Sequence, residues 1–161
     1  GSEIFNTCLQ CGDPGLFTLE HGGTYTLTVG NKSGAGTGTY TIKLWSVVPP
    51  DEFDIKIGDT ISKGTPRDGA GFIASPGEQD MYHFKATAGQ ILTFTITQPP
   101  TTNDTMTWRL TDENGKELFN TCLQCGDPQP VTIESDGTYT LTVGSTNSPG
   151  TGAYGFEITA P

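Results

Sequence analysis

The chain has 161 residues, enough for one domain with a real core or for one domain and a piece of another. Eighteen Asp+Glu against eight Lys+Arg give a net charge of −10. This balance excludes nucleic acid and anionic membrane surfaces as partners, because no basic surface exists to engage phosphates. Gly (22) and Pro (11) are plentiful, above the level of a helical protein and below that of a disordered one. No run approaches the roughly 18 apolar residues of a membrane span, so no membrane insertion is expected. No signal-peptide pattern opens the chain; for a secreted protein the signal would lie upstream.

Thr alternates with Tyr, Leu, Val, Ile and Phe throughout, and period-2 alternation marks strands with one buried face. Thr24-Tyr25-Thr26-Leu27-Thr28-Val29 is the clearest case in the first third. Further along, residues 53–57 read as a strand, Gly58-Asp59 as a turn, and 60–63 as a second strand. A Gly-rich loop follows over 64–71, then a short strand at 72–74 and a turn at Pro76-Gly77. Residues 80–86 and 91–97 alternate strongly, with a loop over 98–104. Residues 106–110 form a strand that turns Trp108 inward, and Asn114-Gly115 is a strong hairpin signal. Strands at 117–119, 131–133, 138–143 and 154–158 complete the pass. The expectation is an all-β, antiparallel, jelly-roll-like β-sandwich of about nine strands with no required helix.

The strongest signal is an internal repeat at a constant offset of 114 residues. Residues 1–14 match 115–128, 23–30 match 137–144, and 36–40 match 150–154; about 26 of 47 positions are identical. Residues 49–161 are therefore read as one complete repeat. Residues 1–48 are read as the C-terminal half of a preceding repeat, an additional half-repeat of β-strands acting as strand donor or packing segment. Gly1 aligns with Gly115, so the chain starts where the hairpin tip of the earlier copy would lie. The apolar face of this half (Phe5, Leu9, Phe17, Leu19, Tyr25, Leu27, Val29, Tyr40, Ile42, Leu44) needs a partner. Strand addition to an open edge is the physically ordinary way to supply one.

The order Phe53-x-Ile55-x-Ile57-Gly58-Asp59-Thr60, Asp80-x-Tyr82-x-Phe84, Ala88-Gly89-Gln90, Trp108-x-Leu110, Gly137-Thr138-Tyr139 and Thr151-Gly152-x-Tyr154 resembles the bacterial pre-peptidase C-terminal domain family. The resemblance covers about 53–158, and its second half recurs in 1–47. It implies a jelly-roll-like sandwich in a secreted or surface protein, accompanying an enzyme or stacked as a spacer. It carries no catalytic motif across. Some members bind calcium or a matrix polymer. The Cys-x-x-Cys loops have no counterpart in the family pattern.

All four cysteines lie in two identical loops, Cys8-Leu9-Gln10-Cys11 and Cys122-Leu123-Gln124-Cys125. A zinc site lacks neighbouring His, and a redox motif lacks the helix that would activate a thiol. A local disulfide in an oxidising compartment is the favoured reading, with inter-repeat or inter-chain bridges as the alternative. No cofactor is expected. Calcium is the one candidate ion, with Asp51, Asp54, Asp59, Asp80, Asp112, Glu113, Asp127 and Asp136 as oxygen donors, although Asp112 and Asp136 suit turns better. His21 sits in a turn and His83 on the strand face opposite Tyr82 and Phe84. No nucleophile elbow is present. Trp108 suits a core and Trp45 a contact between domains or chains.

These readings point to a non-enzymatic extracellular structural repeat. It would build a surface filament, sheath, stalk or adhesin by head-to-tail strand complementation with copies of itself or neighbouring repeats. Phe5, Leu27, Val29, Trp45, Val47, Pro49 and Pro50 are the expected interchain or interdomain contacts. The alternative is an accessory module of a secreted hydrolase that binds polysaccharide or a protein matrix.

Overall fold

The structure is a computed structural model describing residues 2–31, 34, 36–100, 106–144 and 150–161. Gly1 and the expected loop from residue 101 onward lie outside the described residues. The chain divides into two units, Gly1–Ser46 and Val47–Pro161.

In the larger unit the strands follow in chain order: β1 (Asp51–Asp54), β2 (Thr60–Ile61), β3 (Phe72–Ile73), β4 (Gln79–Ala86), β5 (Ile91–Gln98) and β6 (Thr107–Thr111). They continue as β7 (Glu117–Cys122), β8 (Val131–Thr132), β9 (Gly137–Gly144), β10 (Gly152–Ala153) and β11 (Gly155–Thr159). One 3₁₀ turn, Leu123–Cys125, follows β7. A five-stranded sheet has the order β1-β4-β9-β6-β7, a four-stranded sheet β2-β11-β5-β8, and β10 pairs with β3. The longest strands are those whose alternation is cleanest. In β4, Asp80, Tyr82, Phe84 and Ala86 are buried in turn, and in β9 Tyr139, Leu141 and Val143. The core joins both sheets through rings. Trp108 of β6 meets Phe94 of β5 edge-on at 6.4 Å, and Tyr82 of β4 meets Phe156 of β11 edge-on at 5.0 Å.

Two details depart from the expectation. β1 runs parallel to β4 and covers 51–54 rather than 53–57. Ile55 nonetheless stays buried and its N–H donates to the His83 carbonyl at 2.9 Å, so the alternation marked the buried face and not the ladder's end. Among the described residues eleven strands form where about nine were expected: the strands read at 60–63, 72–74 and 131–133 shorten to the two-residue pairings β2, β3 and β8, and β10 is a further two-residue pairing that left no period in the sequence.

The pairing divides the repeat into two interlocking combs. β7 pairs with β6, β8 with β5, β9 with β4 and β6, β10 with β3, and β11 with β2 and β5. Every strand of the second half, 115–161, thus takes its partners from the first half, 51–111. Among the described residues no ladder joins two strands within the second half. Only one chain crossing, the turn of Asp112 to Gly115, bridges the combs between β6 and β7. Asp112 Oδ1 accepts the N–H groups of Asn114 and Lys116 there, and Gly115 takes φ 79°.

The smaller unit corrects one expectation. Among its described residues no strand forms, including over 24–29. The counterpart of 24–29 is β9, whose ladders run to β4 and β6, and both belong to a first half. A second half alone has nothing to pair with, and a strand needs a partner for its backbone groups. Local features do form. Tyr25 donates to the His21 carbonyl at 2.7 Å, as Tyr139 donates to the Ser135 carbonyl at 2.8 Å. Phe5 stacks on Phe17 with centroids 4.9 Å apart.

Candidate functional site

The smaller unit leaves open the residues that its other copy buries. Leu27 is 47% exposed and its equivalent Leu141 0%; Tyr40 is 59% and Tyr154 0%; Leu44 is 82% and Ile158 0%. Leu9 and Leu19 are likewise exposed where Leu123 and Ile133 are buried. At about 25 cal/mol per Å² of apolar surface, covering such a set is favourable. Of the expected contact residues, Phe5, Leu27 and Trp45 are exposed, and Val29 and Val47 are half-buried. Pro49 and Pro50 are exposed immediately before β1. The Lys43 ammonium sits 3.8 Å over the Trp45 ring.

The cysteines close two local disulfides, Cys8–Cys11 and Cys122–Cys125. The second clamps the 3₁₀ turn, which pushes Leu123 into the core. The N–H of Leu123 donates to the Met106 carbonyl at 2.7 Å, and Gln124 Oε1 accepts the Met106 N–H at 3.3 Å. The bridge therefore holds the entry of β6. The loop it closes is short, so replacing Cys122 and Cys125 by Ser should cost no more than about 2 kcal/mol. Urea unfolding would read this, and a loss of most of the stability would refute it.

Several of the acidic candidates are absorbed by the backbone. Asp59 Oδ2 accepts the Lys56 N–H at 2.8 Å, Asp127 Oδ1 that of Ile96 at 2.8 Å, and Asp136 Oδ1 that of Ala88 at 2.7 Å. Among the described residues no group of three or more His, Cys, Asp or Glu is arranged to hold a metal ion. His83 Nδ1 lies 3.0 Å from Thr140 Oγ1.

Asp80 stands apart. It is fully buried, and the Tyr154 hydroxyl donates to its Oδ2. The Tyr82 hydroxyl lies 2.7 Å from that of Tyr154 and accepts the Gly71 N–H at 2.9 Å. Among the described residues Asp80 Oδ1 has no hydrogen-bond partner. Burial raises the Asp80 carboxyl to about 7 against the pull of the Tyr154 hydrogen bond, and the nearby charges of Asp51 and Glu78 add to the rise. Burial also raises Tyr82 and Tyr154. The network ties β4 to the chain between β10 and β11, joining the two combs. Its signal was present in the alternation, which places Asp80 on the same face as Tyr82 and Phe84.

The pre-peptidase C-terminal domain of a collagenase from Bacillus anthracis superposes on this chain with a TM-score of 0.54 at 17% identity, covering 70% of this chain and 98% of that one. The fold is a pre-peptidase C-terminal-like β-sandwich. Two periplasmic inhibitors of g-type lysozyme align more loosely. The one from Salmonella Typhimurium has a TM-score of 0.47 at 16% identity, over 69% of this chain and 99% of that one. The one from Aeromonas hydrophila has 0.48 at 9%, over 70% and 100%. No family model and no curated protein matches the chain. Within this pre-peptidase C-terminal-like sandwich, Tyr82, Phe84 and Tyr139 are framework residues that fill the core, and Asp80 and Tyr154 lock it.

Proposed function

We propose that this chain is a non-enzymatic structural repeat of an extracellular assembly, a surface filament, sheath, stalk or adhesin. In it the second half of one repeat completes the first half of another by strand complementation. The observation that carries this reading is the contrast between the two copies of one sequence: residues buried in the 115–161 copy are exposed in the 1–46 copy. The partner is a polypeptide first half of the 51–111 design, because that is what covers the same residues in the larger unit. Other features suit the role. Two disulfides and no free cysteine fit an oxidising compartment. Val47-Val48-Pro49-Pro50 makes a stiff joint, since Pro fixes φ and restricts its predecessor. The net charge of −10 keeps units apart before assembly.

The test compares amide exchange over residues 24–29 in the assembly taken from intact cells and in the isolated chain, with immunogold labelling of those cells. Labelled surface structures and protection higher by roughly 1,000-fold in the assembly are expected. Equal, fast exchange in both states, or label confined to the cell interior, would overturn the reading.

A further inference from the structure

The two second halves of this chain differ at residues that pack closely in the larger unit. The counterpart of Gly155 is Thr41. A Cβ at position 155 would stand 2.9 Å from the Ile61 carbonyl oxygen, 2.8 Å from Thr97 Oγ1 and 3.3 Å from Gln98 Cβ. The first of these is backbone, so β2 would have to move away from β11. The counterpart of Phe156 is Ile42. The Phe156 ring is fully buried and packs against Tyr82 at 5.0 Å and Trp108 at 6.3 Å. Ile there leaves part of that volume empty, and cores penalise both defects. Next along, Glu157, opposite Thr60 and Thr95, becomes Lys43. Tyr40, by contrast, keeps the hydroxyl that Tyr154 gives to Asp80.

We infer that residues 1–46 are addressed to a first half that differs from this chain's own 51–111, with Thr41 and Ile42 as the residues that set the choice. The fitting partner keeps an Asp-x-Tyr pair at its β4 for Tyr40. It leaves more room between its β2 and β5 for the Thr41 side chain, and it brings a bulkier core residue against Ile42. An acidic residue beside Lys43 completes the match. The mismatch also protects the larger unit. Its own second half fits better, so the 1–46 segment of another copy does not displace it.

This inference rests on the complementation reading, and one experiment separates their failures. The chain is extended at its N-terminus by a second copy of residues 49–114, running directly into Gly1. Three versions are compared by amide exchange over 24–29: the natural sequence, the double variant Thr41→Gly/Ile42→Phe, and a version whose residues 1–47 are replaced by the sequence of 115–161. The replaced version and the double variant are expected to be protected like residues 138–143, with the natural sequence at least roughly 100-fold less protected. Equal protection of the natural sequence overturns the inference and leaves complementation standing. Protection of the replaced version alone moves the mismatch away from Thr41 and Ile42 and also overturns it. No protection in any version overturns complementation itself. In the unextended chain the reciprocal change Gly155→Thr should lower the thermal midpoint of the larger unit; an unchanged midpoint would count against the steric argument.

Discussion

Trp108→Ala should lower the stability of the larger unit by about 3–5 kcal/mol, a large share of the roughly 5–15 kcal/mol that holds a domain together. Trp108 is fully buried, and its ring meets Phe94, Phe119 and Phe156 at 6.4, 5.6 and 6.3 Å. It thus touches β5, β7 and β11, and removing it opens a cavity shared by both sheets and both combs. Among the described residues the indole N–H has no hydrogen-bond partner, so Trp108→Phe removes a buried orphan donor along with part of the ring and should cost markedly less. Ile91→Ala is the surface control, because Ile91 is half exposed at the start of β5. Urea unfolding followed by far-UV circular dichroism reads all three. A Trp108→Ala midpoint close to that of Ile91→Ala would mean that the core is not organised around this ring.

The second large effect is a dependence on pH. The Asp80 carboxyl is raised from 3.8 to about 7 in the fold, so the folded state holds a proton more tightly than the unfolded chain does. Stability from this group is therefore full below pH 4, falls as pH rises, and levels off above pH 7. Each tenfold change in proton affinity is worth about 1.4 kcal/mol, which makes the total decline about 4 kcal/mol. Asp80→Asn keeps an oxygen for the Tyr154 hydroxyl and cannot ionise. Its stability should lack this decline, and the gap between variant and natural chain should shift in the variant's favour as pH rises from 4 to 8. Parallel curves for the two proteins would show that Asp80 is not the group responsible.

The sheets were legible because their strands alternate. In β4 and β5 the buried side chains fall on every second residue, and in β9 Tyr139, Leu141 and Val143 do so with Thr142 buried between them; burial of one face is what fixes register. Of the two-residue strands, β2, β3 and β8 fall inside segments read as strands, while β10 was not legible, since pairing of that length is set by neighbours rather than by period. The strand expected over 24–29 failed for the same reason in reverse. Its pattern is that of β9, but pattern only states which face would be buried, and the partner is what turns it into a strand. Asp80 was read among the oxygen donors for an ion. Its side of the strand was legible from the alternation, whereas the two hydroxyls meeting it come from residue 82, two positions on, and residue 154, far along the chain. The repeat told that 1–46 and 115–161 share a design. It did not tell that this design is all one comb, which only the pairing of the strands reveals.

That interlocking has a kinetic consequence. A chain leaving a ribosome or an export channel in the N-to-C direction can close only β1 on β4 until residue 115 has passed. The remaining ladders wait for the last stretch, β7 to β11. Contacts so distant in sequence make for slow folding, and until they form the first comb stands with its strand edges bare. The order of emergence thus makes the closing stretch the step that commits each repeat, and the interval before it is when a neighbour's comb can enter instead.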